Sequence, residues 1–436
     1  MLIEFEVGNY LSFKETVRLS MVAATPFKEF EAENTFMAQR LRLLKTAAVY
    51  GANASGKSNL LKAMAFMQRF VLNSAKMQSV DAIDVTPFKL DIATENAPSH
   101  FQITFLMEDV RYRYGFDVDR KAIKKEWLYA AEANKEYTLF LRENDGIDIQ
   151  DRFKEGKGLE ERTRDNALFL STVDQLNGQL AKKILECFIR LRMVHGLNDQ
   201  GYERITANML QDEKMRPLVL KLIHWADLGI EDFAVNEEDM DKTDLNKYFT
   251  EEFKKLMVGV PTKQLRVSAL HPKYENGLRV GSTKFDLHQE ESEGTKKFFR
   301  MIGPILECLQ KGCVVLVDEL DAKLHPLLTR ALIRMFHTPD TNPKNAQLVF
   351  ATHDTNLLYY GKFRRDQIWF TEKNEQGATE LYSLAECKLA KGTKVRKDAS
   401  FEKDYVRGRY GAIPYLGEFE QLFREEGENG ETSKTD

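Results

Sequence analysis

The stretch VYGANASGKSNLL, from Val49 to Leu61, decides the fold. It holds a complete GxxxxGK[ST] pattern, which follows an apolar strand and opens a helix. This context is the one that a phosphate-binding loop requires, because loop N–H groups and the helix N-terminus cradle phosphates. The pattern predicts that the Lys57 ammonium reaches β- and γ-phosphates and that the Ser58 hydroxyl binds Mg²⁺. The predicted nucleotide-binding residues are Gly51, Asn53, Ser55, Gly56, Lys57, Ser58 and Asn59.

Composition narrows the class of protein. A chain of 436 residues with 43% apolar and 30% charged residues is typical of a globular protein with about two or three domains. The net charge of −4 excludes general binding of polyanions, so any nucleic-acid contact is expected to be a local patch. We expect a cytoplasmic location and no membrane partner, since no apolar run approaches about 20 residues and no signal-peptide pattern opens the sequence. Four cysteines without CxxC spacing are expected to be reduced thiols: Cys187, Cys308, Cys313 and Cys387.

The pattern of apolar residues divides the chain into four parts. Residues 1–150 alternate as strands do, with a hairpin predicted at Glu108–Asp109, so an antiparallel or mixed sheet is expected. Residues 151–265 show helical spacing and are interpreted as a helical insert, a lid or partner-recognition element. Residues 266–385 contain CVVLVDE and AQLVFATH, which are typical of parallel strands buried on both faces, and QIWFTEK and ELYSL, which suit edge strands. Residues 386–436 form an extension with a polar tail. The predicted fold class is therefore α/β.

Two carboxylates and a histidine follow the predicted buried strands. Asp318 and Glu319 come at the carboxyl end of one strand, the edge at which α/β sheets bind ligands. Asp318 is predicted to hold Mg²⁺ together with Ser58, and Glu319 to polarise the attacking water as a general base. His353 follows the next strand, where a neutral imidazole can bond a γ-phosphate or the water. The alternatives are an acidic turn and a structural histidine.

A second turn resembles an anion site. In HQEESEGTKKFF, Ser292, Gly294 and Thr295 precede a predicted helix over Lys296–Leu309 and offer hydroxyls and free N–H groups. One phosphate loop already exists, so a second phosphate site makes sense if it faces the nucleotide of another subunit. An ordinary helix cap by Ser292 explains the residues equally well.

Together these motifs resemble the ABC-type ATPase heads of the SMC, RecF and OLD group. The resemblance is closer to stand-alone bacterial proteins labelled AAA family ATPase, which carry ESEGTKKFF, DELDAKLHP, ATHD, NYLSF and GRYGAIP nearly as written here. It spans most of the chain except the region near 150–265. It implies that the phosphate loop is Walker A and that Asp318 and Glu319 form Walker B. The departures are Glu293, where ABC signatures carry a small residue, Leu11, where related heads often carry arginine, and VTPFKLD, which lacks the glutamine of a Q-loop.

For the remaining residues the resemblance implies roles between subunits. Ser292, Gly294 and Thr295 would be a signature turn that acts in trans, Asp321 would lie in the D-loop at the dimer seam, and His353 would be the switch histidine. The expected ligands are ATP and Mg²⁺, and the expected assembly is a homodimer or higher homo-oligomer. Each γ-phosphate would bridge two subunits, so that hydrolysis opens the dimer.

The resemblance also implies a biological setting. Similar ATPases are encoded beside an effector, often a nuclease, and act in anti-phage defence, so we expect slow ATP turnover that gates a partner. The first alternative is a RecF- or SMC-like repair ATPase that clamps DNA through basic residues in 388–397 and at Arg407 and Arg409. The second is a binding module without hydrolysis. A ring-forming AAA+ motor is disfavoured because little chain remains beyond 385 for a helical lid.

Overall fold

The structure is a computed structural model that describes residues 1–132, 135–143, 146–195, 202–239, 263–360, 362–387, 395 and 399–414. The strands of this part of the chain are β1 (Leu2–Gly8), β2 (Val17–Ser20), β3 (Thr35–Ala38), β4 (Leu41–Leu44), β5 (Thr46–Gly51), β6 (Ser99–Met107), β7 (Val110–Val118), β8 (Ile123–Glu132), β9 (Lys135–Glu143), β10 (Gly146–Ile149), β11 (Leu191–His195), β12 (Asp232–Asp239), β13 (Lys263–Glu275), β14 (Leu278–Asp286), β15 (Val314–Asp318), β16 (Gln347–Ala351), β17 (Ile368–Lys373) and β18 (Thr379–Ser383). The α-helices are α1 (Glu31–Asn34), α2 (Lys57–Asn73), α3 (Ile92–Glu95), α4 (Phe169–Gln175), α5 (Gln179–Ile189), α6 (Glu203–Gln211), α7 (Arg216–Trp225), α8 (Glu293–Lys311), α9 (Pro326–His337), α10 (Asn356–Tyr360) and α11 (Phe401–Val406).

An antiparallel sheet built from the first 150 residues forms one side of the molecule. Its strand order is β10-β9-β8-β7-β6-β1-β2. The predicted hairpin is confirmed, since β6 and β7 pair antiparallel and meet at Glu108 and Asp109, which both have positive φ. The inner face of this sheet packs on α2, α4 and α5 in one apolar core.

A second sheet carries the phosphate loop. Its order is β11-β15-β16-β5-β17-β18, with all neighbours parallel except the antiparallel pair β17–β18. Every residue of β5 and β16 is buried, which confirms the prediction of strands covered on both faces. The prediction of two edge strands near the end is half right. ELYSL forms the edge strand β18, but QIWFTEK forms β17, which lies inside the sheet between β5 and β18.

The span 151–265 is more than a helical insert. It contains α4 to α7, as the spacing predicts, but it also contains β11, which pairs in parallel with β15 at the edge of the central sheet. Its strand β12 pairs with β13 in a separate three-stranded sheet, β12-β13-β14. Part of this span therefore belongs to the central sheet that carries the predicted site. The domain boundaries given by the sequence pattern stay a prediction.

No helix within the described ranges combines the length and apolar character needed to cross a membrane. The polar tail from 415 onward and most of the basic stretch 388–397 lie outside the described residues.

One side chain joins the antiparallel sheet to the central sheet. Gln347, the first residue of β16, is 1% exposed. Its Oε1 accepts from the backbone N–H of Leu2 at 2.7 Å, and its Nε2 donates to the carbonyls of Leu2 and Leu44 at 3.0 Å each. The amide thus satisfies three buried backbone groups from two other strands, which water cannot reach.

Replacing Gln347 by leucine is expected to lower the free energy of unfolding by roughly 2–4 kcal/mol, because buried backbone groups lose their partners. Urea denaturation measures the change. The matched control, Gln175→Leu, alters an exposed residue of α4 and is expected to stay within about 0.5 kcal/mol of the wild type. Equal stability of the two variants would contradict this role for Gln347.

Candidate functional site

Three neighbouring strands end at the predicted site. In the order β15-β16-β5, parallel strands lie about 4.8 Å apart and their carboxyl ends share one edge of the sheet. Asp318 is the last residue of β15, His353 follows β16 by two residues, and the phosphate loop follows β5. The strand order therefore brings the phosphate loop beside two motifs that follow it at least 260 positions later in the sequence.

The phosphate loop is held in place by hydrogen bonds from the antiparallel pair β17–β18. Gly56 has a φ of 116°, and a Cβ there would lie 2.4 Å from Oγ1 of Thr379. The Thr379 hydroxyl donates to the carbonyl of Ser55 at 2.8 Å, and the Ser55 hydroxyl bonds that of Thr371 at 2.7 Å. Ser55 was predicted to bind nucleotide, but its side chain is buried on Thr371, which leaves its backbone for that task. Asn53 lies exposed in the loop.

Lys57 is folded back into its own loop. Its ammonium donates to the carbonyls of Gly51 and Ala52 at 2.8 and 3.0 Å, and the residue is 6% exposed. Burial lowers the pKa of Lys57 to about 8, while the carboxylates of Asp318, Glu319 and Asp321 oppose that shift. A phosphate that enters the loop would offer this ammonium stronger, charged acceptors than the two carbonyls.

Ser58 and Asp318 meet across the site, as the sequence predicts for a Mg²⁺ pair. The Ser58 hydroxyl donates to Oδ1 of Asp318 at 3.0 Å, although the residues are 260 positions apart. A hydroxyl and a carboxylate are hard oxygen donors, and two such groups leave the remaining positions to water and phosphate, which is the way Mg²⁺ is usually bound. The donor set therefore fits this ion.

Glu319 adopts an uncommon backbone conformation beside this pair. Its φ of 53° lies in the left-handed region, which costs energy for a residue with a side chain. The next residue, Leu320, is held by a hydrogen bond from its N–H to the carbonyl of Ala351 at the end of β16. Backbone strain of this kind is concentrated at functional sites.

His353 and Asp321 lie together at the same edge. The backbone N–H of His353 points to both carboxylate oxygens of Asp321 at 3.4 Å. Partial burial and the positive charge of Lys57 lower the pKa of the exposed His353 imidazole, against the pull of the carboxylates. The lowered pKa favours the neutral form of the imidazole.

The signature turn, residues 292–295, lies at the start of α8, with Ser292 and Glu293 exposed and Thr295 buried. Ser292 is an exposed N-cap whose hydroxyl accepts from the N–H of Thr295 at 3.1 Å and bonds the Thr295 hydroxyl at 2.8 Å. Both the predicted helix and the ordinary cap are thus present. The 19 residues of α8 end at the C-cap Gly312, and β15 begins two residues later at Val314.

The signature turn lies next to the loop that follows β15. There it contacts the D-loop, residues 320–324, of the same chain. A Cβ on Gly294 would lie 3.1 Å from the carbonyl of Lys323.

Asn59 connects the start of α2 to the NYLSF segment. Its amide donates to the hydroxyl of Ser12 at 2.8 Å, within the NYLSF segment, and that hydroxyl also bonds Thr379 at 2.8 Å. A cavity of about 310 Å³ opens beside these residues and is bordered by Leu11 and by Lys89 of the VTPFKLD segment. VTPFKLD has no regular secondary structure and is tied to NYLSF by the bond from the N–H of Leu11 to the carbonyl of Thr86.

The sequence did not reveal Thr371, Thr379 or Lys323 as parts of the site. The two threonines look like ordinary strand residues, and only the pairing of β17 with β5 brings Thr371 opposite Gly51. A lysine five residues after the end of β15 gives no signal of its own.

We expect Gly56→Ala to weaken nucleotide binding by about tenfold or more, because strain in this backbone region costs roughly 1–3 kcal/mol. Titration with a fluorescent ATP analogue measures the affinity. Gly281→Ala is the matched control, since no atom lies within 4 Å of a Cβ at that position. Unchanged affinity in Gly56→Ala would contradict the geometry of the loop.

Two comparisons with known proteins bear on the family of this chain. No curated protein matches the chain significantly. The model of a family described as "AAA domain, putative AbiEii toxin, Type IV TA system" matches residues 47–358, a range that includes the phosphate loop, the signature turn, the Walker B pair and His353. Because this match covers more than half of the 436 residues, the chain belongs to that family of P-loop AAA ATPase domains.

Proposed function

We propose that the protein is an ABC-type ATPase whose two-subunit closure on ATP acts as a switch for a partner effector. The observation that carries this proposal is the bond between Ser58 and Asp318 beside the strained Glu319, a complete set for nucleotide hydrolysis on one sheet edge. Membership in an AAA family supports nucleotide binding independently.

Within one subunit the roles follow from the contacts. The loop N–H groups and Lys57 bind the β- and γ-phosphates, and Ser58 and Asp318 hold Mg²⁺. When bound, Mg²⁺ neutralises phosphate charge. Glu319 accepts a proton from the attacking water as general base, and neutral His353 bonds the γ-phosphate or that water.

Between subunits, the signature turn of each chain completes the nucleotide site of the other. Its exposed Ser292 and the positive end of the helix dipole at the start of α8 suit an anion that arrives from outside. Asp321, in the D-loop against the same turn, would lie at the dimer seam. ATP then favours the closed dimer, and hydrolysis removes the bridge.

The output of this switch is the control of an effector in anti-phage defence, and the effector is expected to be a nuclease encoded by the neighbouring gene. The family description, which names a putative toxin of a type IV TA system, is compatible with a two-component defence module. The exposed parts of 151–265 are the proposed contact for the trigger or the effector.

DNA clamping is the competing function and has less support. Arg409 is paired with Asp404 at 3.0 Å, which leaves it less available to phosphate, while Arg407 is exposed. DNA binding that requires ATP and weakens steeply with salt would favour this alternative.

Glu319→Gln is expected to slow ATP hydrolysis by at least about 100-fold and to stabilise the ATP-bound dimer, because the general base is lost while phosphate binding remains. Phosphate release and molecular mass with and without ATP are the two measurements. Glu143→Gln, an exposed residue of β9, is the matched control. A wild type that hydrolyses no more ATP than Glu319→Gln, alone or with its neighbour, would leave only a binding module.

A further inference from the structure

An acidic residue of the signature turn is bound by two lysines. Glu293 directs Oε1 to Nζ of Lys296 at 3.0 Å and Oε2 to Nζ of Lys323 at 2.9 Å. Lys296 is on the same helix, whereas Lys323 belongs to the D-loop. The side chains of Glu293 and Lys323 are 57% and 48% exposed, so the pair lies on the surface that the partner subunit would cover.

The backbone brings the two elements into contact at the same place. Gly294 approaches the carbonyl of Lys323 so closely that a Cβ would lie 3.1 Å from it. Lys323 has a φ of 61°, in a tight turn where the N–H of Leu324 bonds the carbonyl of Asp321. The ion pair and the close backbone contact therefore link the signature turn to the D-loop.

The charges of this cluster matter to an incoming triphosphate. The two ammonium groups hold the pKa of the Glu293 carboxyl at about 2, so the residue is ionised at neutral pH. One carboxylate and two ammoniums give the cluster one net positive charge. Without Lys323 the cluster would be neutral, and one oxygen of Glu293 would be free to turn toward the helix N-terminus, where it would repel phosphate.

We propose that Lys323 is a positioning residue for nucleotide in trans: it holds the Glu293 carboxylate on the D-loop and offsets its charge, so that the signature turn accepts the γ-phosphate of the partner subunit. This inference rests on the dimer proposed above. It also explains how the signature turn tolerates an acid at this position.

The test uses full-length protein with Glu319→Gln as the parent, so that the ATP-bound dimer persists. Lys323→Met, Glu293→Gln and the double variant are added to this parent. The measured quantity is the ATP concentration that gives half-maximal dimerisation, by analytical ultracentrifugation. Lys311→Met is the matched control, because Lys311 forms a similar pair with Glu307 at the other end of α8. Thermal midpoints report folding.

Lys323→Met is expected to raise the half-maximal ATP concentration about fivefold or more, in the range of ordinary coupling between sites. The double variant is expected to return to within about twofold of the parent, because the carboxylate that Lys323 restrains is gone. The inference is wrong if Lys323→Met has the same half-maximal ATP concentration as Lys311→Met. It is also wrong if adding Glu293→Gln does not reverse the defect of Lys323→Met. Neither result would contradict the ATP-dependent dimer itself. A parent that never dimerises with ATP removes the proposed function itself, and the inference with it.

Discussion

The hydrogen bond between Ser58 and Asp318 is the contact on which the predicted chemistry depends. It joins the first turn of α2 to the last residue of β15, 260 positions away, with a separation of 3.0 Å. That distance is possible only because β16 lies between β15 and β5 and all three strands run in parallel. The apolar faces of these strands are buried, so a shift of any strand would expose core residues as well as separate the site.

A second set of hydrogen bonds stabilises the phosphate loop and the sheet that carries it. Thr371 and Thr379 hold the loop from β17 and β18, and Gln347 ties the central sheet to the antiparallel sheet. Lys57 meanwhile rests on carbonyls of its own loop. The Lys57 ammonium can therefore exchange its two neutral carbonyl acceptors for phosphate oxygens while the hydrogen bonds around the loop stay in place.

The motifs that act through local geometry were the ones that the sequence could predict. A GxxxxGK[ST] pattern fixes its own loop and helix, and fully apolar runs such as those of β15 and β16 fix their place in a buried sheet. The sequence pattern did not predict β11, because LRMVH lies among helices. It forms a strand only through its pairing with β15, far along the chain. Ser55 and Asn59 were predicted to bind nucleotide, and the bonds of their side chains to Thr371 and Ser12 could be found only in the tertiary structure. Lys323 was missed for the same reason, since its importance comes from a contact with Glu293 on another element.

The central claim, that the signature turn serves the nucleotide of another subunit, is tested most directly by mixing two inactive variants. Lys57→Ala removes a phosphate loop, and Ser292→Arg blocks a signature turn. If the sites are shared, each variant alone is inactive, but a mixed dimer contains one intact site. An equimolar mixture is then predicted to recover roughly a quarter of the wild-type ATPase rate, since half of randomly paired dimers are mixed and one site in two works. No recovery on mixing, or full activity of Ser292→Arg alone, would contradict the account.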